Sequence, residues 1–108
     1  MTLKEMQKRV YQNKVNKGFN VTNIEYDFCL LYGEVNETFE AYLKKKQDLP
    51  EELADIVIYV LGLSEMLGVD FEKALIEKID KNEKRTYKKV NGVPIRVETK
   101  ENLETKEE

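Results

Sequence analysis

The fold of this chain depends on residues 52–67, which read ELADIVIYVLGLSEML. No charged residue occurs from Ile56 to Ser64, and on a helix the apolar side chains of this segment would point in nearly every direction. A helix that is apolar on all sides is normally buried on all sides. Because 108 residues cannot easily enclose one of their own helices, we expect a second subunit to complete the burial.

Two helices are predicted before this segment, each from a capping box. Thr2-x-x-Glu5 opens the first helix, which ends at Gly18, and Thr22-x-x-Glu25 opens the second, which runs to the lysines at 44–46. In both helices the apolar residues have the spacing of an amphipathic helix. The predicted buried faces are Leu3, Met6, Val10 and Val15 in the first helix, and Ile24, Phe28, Leu31, Val35, Phe39 and Tyr42 in the second.

The central helix is predicted to begin at Asp48, with a proline in its first turn, and to end at Gly68. Asp70 then caps a fourth helix, which is predicted to reach about Lys89. The stretch Asn91–Pro94 is rich in turn-forming residues and is predicted to end regular structure.

These four helices predict an all-α, four-helix bundle-like domain over residues 1–94, completed by oligomerisation, with a polar C-terminal tail over residues 95–108. No apolar run is long enough to span a membrane, and the first residues lack the apolar stretch of a signal peptide. The single cysteine, Cys29, suits a reducing compartment and is expected to be buried as a small apolar residue. We therefore expect a cytoplasmic protein that has no membrane partner.

The residue types limit the chemistry before any motif is considered. There is no histidine, which excludes Ser-His-Asp and Cys-His triads, zinc sites with imidazole ligands, and di-iron sites of the Glu-x-x-His type. Any metal must therefore bind oxygen ligands, which points to Mg²⁺, Mn²⁺ or Ca²⁺. Neither a Walker-type phosphate loop nor an EF-hand loop is present in the sequence.

Two pairs of carboxylates lie on neighbouring helices. Glu34 and Glu37 occur on the second helix and Glu52 and Asp55 on the third, so each pair is three residues apart. This spacing places both side chains on one helix face, with Cβ atoms roughly 5–6 Å apart. Facing carboxylates repel one another unless a cation lies between them, and an unpaired charge at Asp55, beside the apolar segment, would be costly. The pairs predict a metal site; the alternative is that they are solvated acids or first-turn acids that favour the helix dipole.

The lysines and arginines lie in other parts of the sequence than these acids. No lysine or arginine occurs from Gly18 to Leu43 or from Asp48 to Glu72. Lys78, Asn82 and Arg85 instead follow one line along the predicted fourth helix, to within about 40°. Lysine and arginine near a metal cluster suit an anionic, metal-bound ligand such as a polyphosphate. The alternative is that this stripe is a solvated basic face.

In this order, the motifs resemble those of the MazG-like all-α NTP pyrophosphohydrolase superfamily. GEVNETFEAY (33–42) is similar to its first acidic helix, ELADIVIYVLGLSEMLGVDFEKAL (52–75) to its second signature, and EKIDKNEKRTY (77–87) to its Lys-x-x-x-Asn-x-x-Arg segment. The resemblance covers roughly residues 31–87. One difference is Gly33, which stands where family members often carry an additional glutamate, while the Glu-x-x-Glu pair remains.

The resemblance implies Mg²⁺-dependent hydrolysis of a nucleoside triphosphate to the monophosphate and pyrophosphate, with Mn²⁺ as an alternative cation, by a homodimer or homotetramer. Glu37, Lys78 and Arg85 would act in catalysis. Glu37 would orient the attacking water or accept its proton, and the two cations would stabilise charge on the leaving pyrophosphate. The implied metal ligands are Glu34, Glu37, Glu52 and Asp55, and the implied substrate-binding residues are Lys78, Asn82 and Arg85.

The sequence leaves a second class of function open: a catalytically silent helical oligomerisation or regulatory module, whose acids only cap or solvate helices. A nucleic-acid partner is not expected, because acids interrupt the basic residues and no aromatic platform accompanies them. Mg²⁺ binding that depends on the four carboxylates would distinguish the enzyme from the silent module.

Overall fold

A computed structural model describes residues 1–97 of the chain, and within them the predicted all-α class is confirmed with the addition of a small sheet. The elements are, in order, α1 (Leu3–Lys17), α2 (Ile24–Leu43), α3 (Leu49–Met66), α4 (Phe71–Lys84), β1 (Thr86–Val90) and β2 (Val93–Val97). The chain divides into two compact units, Met1–Ala74 and the remainder from Leu75 onward. None of the helices in residues 1–97 combines the length and the apolar character needed to cross a membrane.

The first helix starts as predicted, and the second starts one residue later than predicted. The Thr2 hydroxyl accepts a hydrogen bond from the Glu5 amide at 3.1 Å, which confirms Thr2 as the N-cap, and it donates to the Glu5 carboxylate at 3.1 Å. The cap of α2 is Asn23 rather than Thr22, because the Asn23 side chain accepts a hydrogen bond from the Tyr26 amide at 3.0 Å. Asn-type caps satisfy the same unpaired helix donors as threonine does, so the error moves the helix start by one residue only.

The helix α2 packs against α3 with a face other than the predicted one. The buried residues of α2 are Asp27, Thr38 and Ala41, and Glu34 on the same face is half-buried. Cys29, which we expected to be buried, is exposed. Periodicity identifies an apolar stripe, but it does not say which surface the stripe meets. Four large side chains that were predicted to be buried are instead 40 to 63% exposed: Phe28, Val35, Phe39 and Tyr42.

The helix α1 packs against α3 and is anchored there by polar groups. Gln7 is buried, and its amide nitrogen donates to the Glu65 carboxylate at 3.2 Å and to the Val69 carbonyl oxygen at 2.9 Å. These bonds join α1 to the C-terminal end of α3. The predicted apolar face of α1 is only partly correct, since Met6 and Val15 are exposed.

The centre of α3 supplies the core of the first unit. Leu61 and Leu63 are 2% and 4% exposed, and a Cβ added to Gly62 would lie 3.4 Å from the Cδ atom of Lys14, so α1 crosses α3 at close range here. Complete burial of α3, which the apolar run predicts, is not reached within the described residues of one chain. Burial by a second subunit stays a prediction. The exposed apolar residues of α3 and its C-cap are Leu53, Val57, Ile58 and Leu67.

A β-hairpin follows α4 in the second unit, so the helix predicted as far as Lys89 is wrong. The helix α4 ends at Lys84, and β1 pairs with β2 in antiparallel register, with Val90 opposite Val93. Asn91 and Gly92 form the two-residue turn between the strands, and both have positive φ, 53° and 79°. Asn-Gly is the sequence that favours this type of turn because both residues tolerate the left-handed conformation.

The hairpin changes two further expectations. Arg85 lies beyond the last residue of α4, although its amide still donates to the Asn82 carbonyl oxygen at 3.2 Å. Strand β2 crosses the boundary that we predicted between residues 94 and 95. The division into a domain over 1–94 and a tail over 95–108 stays a prediction, and residues 98–108 of that tail lie outside the described part of the chain.

Candidate metal centre

Three of the four predicted carboxylates meet where α2 packs against α3. Glu34 and Glu37 extend from α2 and Glu52 from the first turns of α3, and one ligand oxygen from each lies within 4.8 Å of the other two. The three-residue spacing places the two α2 carboxylates on one face, as the sequence predicted. The packing of the two helices then brings Glu52 to that face.

Asp55 lies close to this group but is not one of the three mutually adjacent carboxylates. It is half-buried, one turn further along α3, and its negative charge raises the pKa values of both Glu34 and Glu52. Its position among the predicted ligands therefore stays a prediction, although it belongs to the same electrostatic environment.

Two carboxylates of this site, Glu34 and Glu52, hold their protons to higher pH than ordinary glutamates. Burial is the main cause of the raised pKa of Glu34, followed by the charges of Glu37, Asp55 and Glu52. Burial is also the main cause of the raised pKa of Glu52, and the charges of Asp48, Glu37 and Asp55 raise it further. Like charges that share a partly dry site disfavour ionisation, so these acids are destabilised without a compensating cation.

Two oxygens of this site, Oε2 of Glu34 and Oε2 of Glu52, are buried, and they have no hydrogen-bond partner among the described residues when both acids are ionised. The two side chains can hydrogen-bond to each other only by sharing a proton. Buried polar atoms are normally paired, and an unpaired carboxylate oxygen is costly. An all-oxygen donor set suits hard divalent cations such as Mg²⁺ and Mn²⁺. The residues present therefore fit a divalent cation.

The Thr38 hydroxyl connects the backbones of the two helices beneath these acids. It donates to the carbonyl oxygen of Glu34 at 2.8 Å and lies 3.2 Å from the carbonyl oxygen of Glu52. Thr38 is 7% exposed, so water does not compete for these bonds. This side chain fixes the relative position of the two acids, and the sequence analysis did not identify it.

A separate buried ion pair lies on the same face of α2 as Glu34. Asp27 is 1% exposed, and its Oδ2 atom lies 2.5 Å from Nζ of Lys14, whose side chain is 12% exposed. Asn20 donates to the other Asp27 oxygen at 2.9 Å. A charge buried to this degree is tolerated because it is both paired and hydrogen-bonded.

The sequence carried a signal for Asp27 that we did not use. Asp27 and Glu34 are seven residues apart, which places them on the same face of a helix.

The sequence analysis also missed Tyr59, which follows Asp55 by one helical turn. Burial is the main cause of the raised pKa of Tyr59, and the charges of Glu34, Asp27 and Asp55 raise it further.

An open groove of about 1380 Å³ lies beside the carboxylates, within the first unit. Glu34 and Asp55 line part of it, so the groove is continuous with the acidic site. The remaining walls mix apolar and aromatic side chains with amides, and they include Asn13, Asn20, Tyr26, Leu30, Ile58 and Tyr59. Such a mixture is typical of sites for organic ligands that carry a few polar groups.

The predicted substrate-binding residues belong to the second unit. Lys78 and Asn82 lie on α4 and Arg85 directly follows it. Partial enclosure lowers the pKa of Lys78, and the charges of Arg85, Lys81 and Arg96 lower it further. The structure therefore groups Lys78 with Arg85, and it adds Arg96, which the sequence analysis placed in the tail. That these residues and the carboxylates act on one substrate stays a prediction.

The geometry defines a helical domain with a candidate divalent-cation centre between two helices. A sequence model of the MazG-like family matches residues 17–106, which is most of the chain. The protein therefore belongs to the MazG-like family, as the motifs indicated. A search of curated proteins and a search of solved structures gave no match.

Proposed function

We propose that this protein is a Mg²⁺-dependent nucleoside triphosphate pyrophosphohydrolase that forms a monophosphate and pyrophosphate. The observation that carries the proposal is the group of Glu34, Glu37 and Glu52, whose ligand oxygens lie within 4.8 Å of one another in a chain of the MazG-like family. Two buried, unpaired oxygens in this group favour a bound cation over a solvated acidic face.

Glu34, Glu37, Glu52 and Asp55 would hold the metal, and Mn²⁺ is the alternative to Mg²⁺. Bound Mg²⁺ supplies positive charge that neutralises phosphate oxygens and lowers the pKa of water. Glu37 is the exposed member of the three adjacent carboxylates, so it is the one accessible to a water molecule. We assign to it the orientation of the attacking water or the acceptance of its proton.

The remaining parts of the substrate are assigned by their chemistry. The groove beside the carboxylates would receive the base and sugar, because aromatic and amide groups line it. Lys78, Asn82 and Arg85 would bind the phosphates, and Lys78 and Arg85 would stabilise the charge that develops on the leaving pyrophosphate.

We further propose that the protein works as a homodimer or homotetramer in the cytoplasm. The exposed apolar side chains of α2 are separated by steps of four and three residues, which is the spacing of a helix–helix seam. On α3, Leu53 and Val57 are also exposed. A patch of this kind on a small protein favours contact with a second copy, most simply about a two-fold axis. The seam of α2 consists of Phe28, Tyr32, Val35, Phe39 and Tyr42.

A catalytically silent oligomerisation or regulatory module remains the alternative, and it uses the same apolar surfaces. The raised pKa values of Glu34 and Glu52 favour the enzyme over the silent module. Acids that repel one another destabilise a helix face that has only a structural role.

The test is pyrophosphate release from a panel of canonical and modified nucleoside triphosphates with Mg²⁺. The wild-type protein is compared with Glu37→Gln and Asp55→Asn, which remove one charge each, and with Glu40→Gln as a matched control. Glu40 is exposed on α2 and is not one of the three adjacent acids. We expect the first two variants to lose activity and the control to keep it. Near-normal turnover in both Glu37→Gln and Asp55→Asn would remove the metal site from the mechanism.

A further inference from the structure

The hairpin of the second unit adds a cation that the sequence motifs do not include. Arg96 lies on β2, and its charge acts on Lys78 of α4, together with the charges of Arg85 and Lys81. The strand register supports this grouping, because Arg85 directly precedes Thr86, which pairs with Val97, the residue after Arg96. The residues from 75 to 97 include seven lysines and arginines but three acids, so this region is strongly positive.

The position of Arg96 follows from the strand pairing. Arg96 is opposite Tyr87 in the antiparallel register, so the two side chains share one face of the hairpin. Lys88, the next residue, is opposite Ile95 and points to the other face, because successive side chains of a strand alternate. The hairpin thus places Arg96 and Lys89 on one face and Lys88 on the other, and of these three cations Arg96 is the one whose charge acts on Lys78.

Both arginines of this region have donors without a protein acceptor. The Nε atoms of Arg85 and Arg96 are buried and have no hydrogen-bond partner among residues 1–97. Buried guanidinium nitrogens are normally paired, and cations this close together repel one another. An anion with several oxygens would satisfy the unpaired donors and reduce the repulsion. Guanidinium groups match phosphate oxygens in a two-point geometry.

We propose that Arg96 joins Lys78 and Arg85 in one phosphate-binding cluster that holds the pyrophosphate part of the substrate. This inference rests on the proposed function, because it names a further binding residue for the same reaction. In this cluster Lys78 comes from α4, Arg85 directly follows α4, and Arg96 comes from β2. In this proposal the hairpin that follows α4 contributes a residue to substrate binding.

The test is calorimetric titration of the full chain with inorganic pyrophosphate in the presence of Mg²⁺, supported by steady-state kinetics with a nucleoside triphosphate. Arg96→Gln should weaken pyrophosphate binding about tenfold or more, the usual effect of losing a hydrogen bond to a charged group. The matched control, Lys88→Gln, removes one positive charge from the opposite face of the same hairpin, and we expect its affinity to stay within about twofold of wild type, since an exposed charge acts weakly.

The outcomes separate this inference from the proposed function. If wild-type protein binds pyrophosphate through Arg96 but hydrolyses no triphosphate, the cluster stands and the proposed function fails. If the enzyme is active and Arg96→Gln binds pyrophosphate and turns over substrate like wild type, the cluster is wrong and the proposed function stands. Absence of pyrophosphate binding by wild type would also overturn the cluster.

A variant that fails to fold is identified by loss of its helical circular dichroism signal, and Arg96→Lys then replaces it. This change keeps the charge and removes the two-point geometry, so we expect weakened pyrophosphate binding with an unchanged melting temperature. Wild-type affinity in Arg96→Lys together with wild-type affinity in a Lys78→Ala variant would contradict the proposal.

Discussion

The hydroxyl of Thr38 lies 3.2 Å from the carbonyl oxygen of Glu52, across the contact between α2 and α3. The same hydroxyl donates to the carbonyl oxygen of Glu34, four residues earlier on its own helix. One buried oxygen therefore sets the distance between the two helices at the level of the candidate metal ligands. The arrangement of the carboxylates depends on this contact as well as on the ligands themselves.

Replacing Thr38 by valine should weaken metal binding without unfolding the protein. Valine keeps the shape of threonine but removes the donor, so the two acids lose their common support. Loss of a residue that supports metal ligands typically lowers metal affinity about 10- to 100-fold. Mn²⁺ titration by calorimetry measures the change, and Thr38→Ser, which retains the hydroxyl, is the control. Equal Mn²⁺ affinity in the valine and serine variants would remove Thr38 from the site.

The metal-free protein should become less stable as the pH rises from the weakly acidic range. The pKa values of Glu34 and Glu52 are raised in the folded state above the ordinary value of 4.5. The folded state thus binds more protons than the unfolded state between 4.5 and the raised values, and its stability falls as the pH rises through that window.

The double variant Glu34→Gln/Glu52→Gln isolates this effect. In EDTA at neutral pH it should melt at a higher temperature than wild type, because the repelling charges are gone. The difference should shrink as the pH approaches the ordinary glutamate value. Thermal melts followed by circular dichroism at several pH values test this, and a constant difference at all pH values would show that the two acids do not titrate as described.

The buried pair of Lys14 and Asp27 should matter far more to stability than an exposed pair on the same helix. Lys14→Met leaves the Asp27 charge buried without its partner, and we expect a loss of about 3 kcal/mol or more in the free energy of unfolding. Lys8 pairs with Glu65 at 2.9 Å but its side chain is 67% exposed, so Lys8→Met should cost less than about 1 kcal/mol. Urea unfolding at equal protein concentration compares the two, and similar losses would contradict the central role of the buried pair.

Assembly should depend on the exposed apolar seam of α2. Phe39 is 57% exposed and is the fourth of the five seam residues on that helix, and Phe39→Lys would place a charge in the proposed interface. We expect this variant to have a lower mass by light scattering at micromolar concentration than the wild-type oligomer. Met6→Lys on α1, where Met6 is 38% exposed, is the control. A wild-type species at the monomer mass of 12.7 kDa would contradict the assembly.

The comparison of sequence and structure shows which kinds of information a pattern contains. The spacing of Glu34 and Glu37 predicted a shared face correctly, because helix periodicity fixes neighbours on one element. The buried face of α2 was mispredicted because a second apolar stripe, which includes Phe39, was more prominent than the polar face around Thr38. Which face meets α3 is a tertiary property that a periodic pattern does not contain.

The hairpin was missed for a different reason. Asn91-Gly92 is a strong turn signal, and β-branched or aromatic residues flank it, but Lys88 and Lys89 were read as the end of a helix. Only a few local conformational preferences decide whether such a segment continues the helix or forms the first strand of a short hairpin. As a consequence, Arg96 was assigned to a tail, whereas in the structure it lies on β2 opposite Tyr87.

The central claim is that the enzyme cleaves a nucleoside triphosphate between its α- and β-phosphates with a divalent cation bound at Glu34, Glu37 and Glu52. The most direct measurement is a ³¹P NMR spectrum of the products formed from a hydrolysed triphosphate, recorded with Mg²⁺ and again with EDTA. We expect signals of the nucleoside monophosphate and pyrophosphate with Mg²⁺ and unchanged triphosphate with EDTA. Release of orthophosphate and a nucleoside diphosphate, or no reaction with any triphosphate of the panel, would contradict it.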